Sequence, residues 1–372
     1  MRTKTDFRSR PLMAAVLGLL LLLAACSLFW PQREMSELEN RPLASRPRLS
    51  LDSVGSGAFS NQAERSLSDQ FPLREFWLSV KSVYDMALLK AERNRILIGK
   101  GGRLFEPAAA LKTQTLFDNA DAAAKLRAAS GLEVWLMLIP MASAVHEQDL
   151  PLFYQADDQQ TLLDEAFRRS LSFPVDVLSA MRGRRDEEFF YRTDHHWTAA
   201  GARVAYEALA GHWNLVPAIP SSRLSVQGFL GTLAARAASP FIPSETLSFD
   251  LYEGLDLYIG ENKADGLVDQ AQLEKRDKYA ALLYGSTEGI ITLNNQKAQG
   301  SLLVIRDSYA NALLPALVKH FDRVIAVDPR YYRGDILELC KQEGVERILC
   351  IYGLSTWMND RNLPAAASDW LP

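Results

Sequence analysis

Cysteine is scarce, with three in 372 residues. Cys26 lies in an N-terminal apolar run, Cys340 in a helical pattern and Cys350 in a strand pattern. Buried free thiols are therefore expected rather than a disulfide framework, and no cysteine spacing matches a metal site. A basic excess is missing too. Lys and Arg number 41 against 45 Asp and Glu, for a net charge of −4, which disfavours nucleic acid and anionic lipid surfaces as partners. There is no internal repeat and no low-complexity tract, and aromatics at 9% exclude a disordered chain. What is present, 48% hydrophobic residues, suffices for one large core with at most a small accessory part.

The longest apolar run, Leu12 to Trp30, follows Arg2, Lys4, Arg8 and Arg10. A basic flank before such a run marks residues 1–30 as a secretory signal or a membrane anchor, so the rest of the protein is expected outside the cytoplasmic membrane. Leu23-Ala24-Ala25-Cys26 matches a bacterial lipobox, with Cys26 as the lipidation candidate. Cleavage there would remove four basic residues and one acid, taking the balance from −4 to −7. Residues 31–57 read as a proline- and arginine-rich tether.

One α/β domain is expected over 58–372. Its lead-in, 58–107, reads as two helices and a hairpin, with Phe76, Val80, Val83 and Ala87 as an apolar stripe on the second helix. Strands are expected at Val134–Ile139, Leu302–Ile305, Val324–Val327 and Ile348–Tyr352, alternating with helices, hence a mainly parallel sheet covered on both faces. Residues 217–296, with frequent Ser and turns at Gly228, Gly231 and Pro240, read as an insertion or a set of active-site loops.

Chemistry concentrates in Tyr191-Arg-Thr-Asp-His-His-Trp-Thr-Ala-Ala-Gly201. Phe189-Phe190-Tyr191 suggests an arriving buried strand, and Thr198 is a cap for a following helix. In extended backbone Asp194 and His196 project to one side and His195 to the other. A carboxylate beside an imidazole fixes the tautomer a general base needs. The matching nucleophile is Ser308, where the aliphatic run Leu302–Ile305 stops at Arg306-Asp307-Ser308 before a helix; the competing role for this serine is helix N-cap. A metal on Asp194, His195, His196 and His146 is the weaker reading, because adjacent histidines point apart and no spacing completes a shell.

Asp194-His195-His196-Trp197 resembles the signature of the DHHW protein family, itself similar to alginate O-acetylation proteins with an SGNH-hydrolase-like domain. Asp307-Ser308-Tyr309 looks like that family's version of the Gly-Asp-Ser motif of SGNH enzymes, with Arg306 in place of the glycine, and Glu39–Leu43, Phe229–Leu233 and Asp328–Tyr332 are also similar. The resemblance implies an SGNH-hydrolase-like (flavodoxin-like) fold in circularly permuted motif order. It implies Ser308 as nucleophile, His196 as base and Asp194 as its orienter, with no metal and no cofactor. Tyr309, Arg306, Gly285, Ser286, Arg330 and Tyr331 become candidate substrate or oxyanion residues. The implied activity is serine-dependent O-acetyl transfer or ester hydrolysis on a cell-envelope polysaccharide, with a membrane-bound O-acyltransferase as acyl donor. The alternative is a catalytically silent scaffold or glycan-binding component.

Overall fold

Strands covered on both faces need no polar alternation, and the uninterrupted aliphatic runs form the centre of the structure. The computed structural model describes residues 9–36, 41–107, 113–184, 187–285 and 288–367. Its central sheet has eight strands: β1 (Glu133–Ile139), β2 (Phe173–Val175), β3 (Asp256–Ile259), β4 (Asn262–Lys263), β5 (Ile290–Asn294), β6 (Ser301–Arg306), β7 (Arg323–Val327) and β8 (Val345–Gly353). Their spatial order is β4-β3-β5-β7-β6-β8-β1-β2. The five strands from β7 to β2 are parallel, while β4, β3 and β5 extend the sheet antiparallel. Helices Thr113–Ser130, Gln159–Ser170, Ala199–His212 and Ile336–Gln342 cover it, giving the expected SGNH-like α/β architecture. β6 lies between β7 and β8, so the chain leaves it toward one neighbour and later returns to the other. Its carboxyl end is where such sheets hold ligands.

Several sequence expectations are corrected. The stretch 217–296, read as an insertion or active-site loops, is β-rich and contributes to the central sheet. Three of its segments are the sheet strands β3, β4 and β5, and two more, Ser222–Phe229 and Glu245–Leu251, pair as a separate antiparallel ribbon. Phe189–Tyr191 is buried but forms only an isolated bridge, Phe190 to Trp197. Thr198 does cap its helix, accepting the N–H of Gly201 at 3.2 Å.

The described residues fall into two compact units, Met1–Lys90 with Ala238–Pro240, and Ala91–Ala237 with Phe241–Pro372. In the first, Ser9–Phe29 is helical; among the described residues no helix is long and apolar enough to cross a membrane. The basic residues Arg2, Lys4 and Arg8 lie outside the described residues. The 31–57 stretch does not run free. Asp69 accepts the N–H of Ala44, and the Gln70 amide bridges Arg33 and Ala44. The stripe of helix Arg74–Ala87 faces solvent: Phe76, Val80, Val83 and Ala87 are exposed, while Ser82 and Asp85 are buried. Asp85 is held on that side by Lys81 at 2.7 Å and Lys90 at 2.8 Å.

Candidate active site

The segment 190–197 is a tight loop, closed by Tyr191 N–H to His196 O and Thr198 N–H to Phe189 O. Two separate elements, the hairpin and the ribbon strand Glu245–Leu251, grip it. Arg103, in the hairpin, donates to Phe190 O at 3.1 Å. Leu104 N–H bonds Arg192 O. Glu245 accepts the N–H groups of Arg192 and Thr193 at 2.9 and 2.7 Å.

Within the loop, Asp194 Oδ1 accepts the backbone N–H of His196 at 2.9 Å and its ring Nδ1–H at 2.6 Å. A carboxylate can only accept here, so the proton sits on Nδ1 and Nε2 carries a lone pair. That Nε2 lies 2.8 Å from Ser308 Oγ. The structure thus brings Asp194, His196 and Ser308 into one hydrogen-bonded line. The other Asp194 oxygen accepts Thr232 N–H at 2.6 Å and Thr232 Oγ1–H at 3.0 Å. Gly231 leaves the space for this, since a Cβ there would stand 2.2 Å from Asp194 Cβ.

One residue, Asp307, separates β6 from Ser308, which opens a five-residue 3-10 turn, Ser308–Ala312. It is not the cap of that turn. Asp307 is, accepting Tyr309 N–H at 2.9 Å, while its second oxygen accepts Gly353 N–H at 2.9 Å from the end of β8. The serine is thereby left with its hydroxyl for His196. Trp197, fully buried, donates Nε1–H to Tyr309 O at 3.1 Å, and Tyr309 O–H donates to His195 O. These two bonds tie the loop to the nucleophile turn.

His195 does not point away from His196, because the loop is curled rather than extended. The two rings lie 3.9 Å apart, and His195 Nδ1 meets Thr232 Oγ1 at 2.8 Å. On its other face His196 stacks on Tyr279 at 3.8 Å and 10°. Burial, then the neighbouring His195, lower the His196 pKa to about 4, so the imidazole is neutral near pH 7 with its Nε2 lone pair available. Burial pushes Asp194 upward, but the two imidazoles and the Thr232 N–H outweigh it and hold the carboxyl well below its usual range. Such an arrangement can remove the serine proton and stabilise the resulting imidazolium.

Asp194, His195 and His196 also bring one donor atom each within 4.8 Å. Those atoms are engaged with one another and with Thr232, and no fourth ligating side chain joins the cluster among the described residues.

The other sequence candidates scatter. Arg306 is buried and donates to Asn311 Oδ1 at 2.8 Å, supporting the turn. Both Tyr309 donors are committed, which leaves its ring as cleft wall and not an oxyanion donor. Gly285, at φ +62°, ends the turn Leu283–Gly285, where a Cβ would stand 3.2 Å from Ala280 Cβ; Ser286 lies outside the described residues. Tyr331 is exposed beneath the Arg330 guanidinium and does not line the cleft beside the serine; Arg330 does. His146 is buried beside Phe190, away from this group. Cys340 and Cys350 are free and buried, their pKa values pushed up by burial to about 11 and 12. Sequence reasoning missed Thr232 and Tyr279; the former sits in the Phe229–Leu233 motif, whereas nothing near Tyr279 signals its role.

Residues 96–231 match the family model of the SGNH hydrolase-like domain of acetyltransferase AlgX, and residues 169–327 that of the DHHW proteins. Two curated relatives are each described as a probable alginate O-acetylase AlgJ. The one from Pseudomonas syringae pv. tomato is 25% identical over 208 residues, covering 53% of this chain and 50% of the relative. That from Pseudomonas putida is 26% identical over 180 residues, covering 45% and 46%. The chain thus spans about half the length of the curated relatives it matches. Among solved structures, a DHHW family protein from Eubacterium siraeum superposes with a TM-score of 0.61 at 20% identity, over 73% of this chain and 95% of the other. Bacillus cereus PatB1 with a sulfonyl adduct gives 0.59 at 18% identity, over 72% and 97%. These likenesses establish the fold. The two matching models together span the hairpin, the Asp194–Trp197 loop and Ser308, and over these residues the chain is similar to the DHHW proteins and to the SGNH-like domain of the alginate O-acetylation proteins.

Proposed function

We propose that the protein is an extracytoplasmic, serine-dependent O-acyltransferase that moves an acetyl group through Ser308 to a hydroxyl of a cell-envelope polysaccharide. The observation that carries this reading is the Asp194–His196–Ser308 line, at 2.6 and 2.8 Å. His196 Nε2 takes the Ser308 proton as Oγ attacks the carbonyl carbon of an acetyl ester. The donor's C–O bond breaks, and the proton passes to the leaving alkoxide. In the second half the acceptor hydroxyl gives its proton to Nε2 and attacks the acetyl-serine; the bond between the acetyl carbonyl carbon and Ser308 Oγ breaks and Oγ recovers the proton. Water in place of the sugar makes the same site an esterase. The names of the curated relatives point to polysaccharide acetylation, and a membrane-bound O-acyltransferase is the proposed donor.

The test is intact-protein mass spectrometry after incubation with an activated acetyl ester. One acetyl adduct mapped to Ser308 is expected; no adduct on a folded protein would favour a silent scaffold. Anchoring through acylated Cys26 belongs to the same proposal. Cys26→Ser should abolish lipid labelling and leave an unprocessed membrane form, and a parent protein that takes up no lipid label sinks that part.

A further inference from the structure

The helix Arg74–Ala87 is inside out for a helix on a water-facing surface. Phe76, Trp77, Val80, Val83 and Tyr84 fall within one arc of it and are between 39% and 60% exposed. Ser82 and Asp85, on the opposite side, are 0% and 3% exposed. A single exposed apolar side chain means little, but a contiguous face of five marks an interaction surface. Both carboxylates of the helix are neutralised, Glu75 by Arg33 at 3.2 Å and Asp85 by Lys81 and Lys90. The face therefore carries no net negative charge to oppose an apolar contact.

What lies beside this face is fixed by hydrogen bonds within the same compact unit. The apolar helix Ser9–Phe29, itself exposed at Leu17, Leu21, Leu22 and Phe29, ends shortly before Arg33. Arg33 exchanges backbone hydrogen bonds with the Gln70 amide at 3.0 and 2.9 Å. Its guanidinium holds Glu75, in the first turn of Arg74–Ala87. Arg46 donates to Ser27 O at 3.1 Å and to Trp30 O at 3.4 Å. Arg33 is seven residues beyond Cys26 and three beyond Trp30, reaches of at most about 25 and 10 Å. An anchor at either place, acylated Cys26 or the apolar helix, keeps the start of a helix about 21 Å long close to the lipid surface.

We propose that Arg74–Ala87 lies in the bilayer interface with its Phe76–Tyr84 face in the acyl boundary, a second membrane contact beside the N-terminal anchor. This rests on the anchoring reading of residues 1–30. A bilayer fits this face better than a second copy or a protein partner, because the face is stitched to the exit of the apolar helix. Trp77 and Tyr84 are the aromatic types that settle at such an interface. The attraction is apolar. The chain carries −4, so anionic headgroups are not its source and salt should not weaken it.

The test reconstitutes the full-length protein into phosphatidylcholine vesicles that contain a phospholipid with a diazirine in its acyl chain. Flotation reports anchoring, and mass spectrometry after irradiation maps the lipid adducts. Adducts are expected on Phe76–Tyr84 as well as on the N-terminal segment, with equal yield at low and high salt. Val80→Asp, at an exposed position, should lower the helix adducts about fivefold or more and leave the N-terminal ones unchanged. Adducts confined to the N-terminal segment of floating protein overturn the proposal and leave the anchor standing. Helix adducts that vanish in high salt, or that survive Val80→Asp undiminished, overturn it as well. Protein that neither floats nor takes up lipid on either segment overturns the anchoring reading together with the proposal.

Discussion

Ser308→Ala and His196→Ala should each lower acyl-ester turnover by about 10⁴-fold or more, and the double variant should be little worse than either. The reason is that nucleophile and base act as one unit: with either gone, only binding and electrostatics remain. The 2.8 Å contact between His196 Nε2 and Ser308 Oγ makes that unit explicit. His195→Ala is the informative comparison, because His195 stacks against His196 without bonding the serine. It should lose less than about tenfold at pH 7, since the Asp194–His196–Ser308 line survives. It should also move the acid limb of kcat/KM upward, because His195 helps to lower the His196 pKa.

In the parent protein that limb should lie near pH 4, not 6.5, because His196 must be neutral to act and burial keeps it so. The sign for stability is the reverse of a benefit. Between pH 6.5 and about 4 the unfolded chain protonates this histidine and the folded one does not, so stability falls as pH falls through that window. A kcat/KM profile with its acid limb at 6.5 or above would contradict the buried neutral imidazole. Losses that multiply in the double variant would contradict the shared unit.

Gly231→Ala is the second large effect. A methyl there would stand 2.2 Å from Asp194 Cβ and 2.4 Å from Oδ2, distances that force the carboxylate aside. Asp194 would then lose its place on Nδ1, and His196 its tautomer and orientation. Loss of the orienting carboxylate typically lowers kcat by about 10⁴-fold, and misplacement by about 1 Å by 10²-fold, so kcat/KM should fall by about 10²–10⁴-fold. Thr232→Val keeps the backbone N–H to Oδ2 and removes only the hydroxyl, so its loss should be smaller. Thermal melting checks that both variants fold. A folded Gly231→Ala protein with undiminished activity would remove Asp194 from the proposed mechanism.

The sequence by itself determined whatever depends on neighbours along the chain. The aliphatic runs in β1, β6, β7 and β8 could only be buried strands, and Thr198 could cap only the helix that follows it. Asp194 and His196 do hydrogen-bond, though not through extended backbone; a turn in which the carboxylate accepts the N–H two residues on brings them together. Tertiary structure decided what depends on strand order. Ser308 is 112 residues from His196, and no local pattern states that β6 ends beside the loop that Arg103, Glu245 and Thr232 hold. The same holds for Tyr279 against the catalytic-candidate imidazole and for the stripe of helix Arg74–Ala87, whose apolar face found solvent. Periodicity records which side of an element is apolar, a local property. Which groups meet across a sheet edge is set by the order of the strands, and that order is fixed only when the whole core packs.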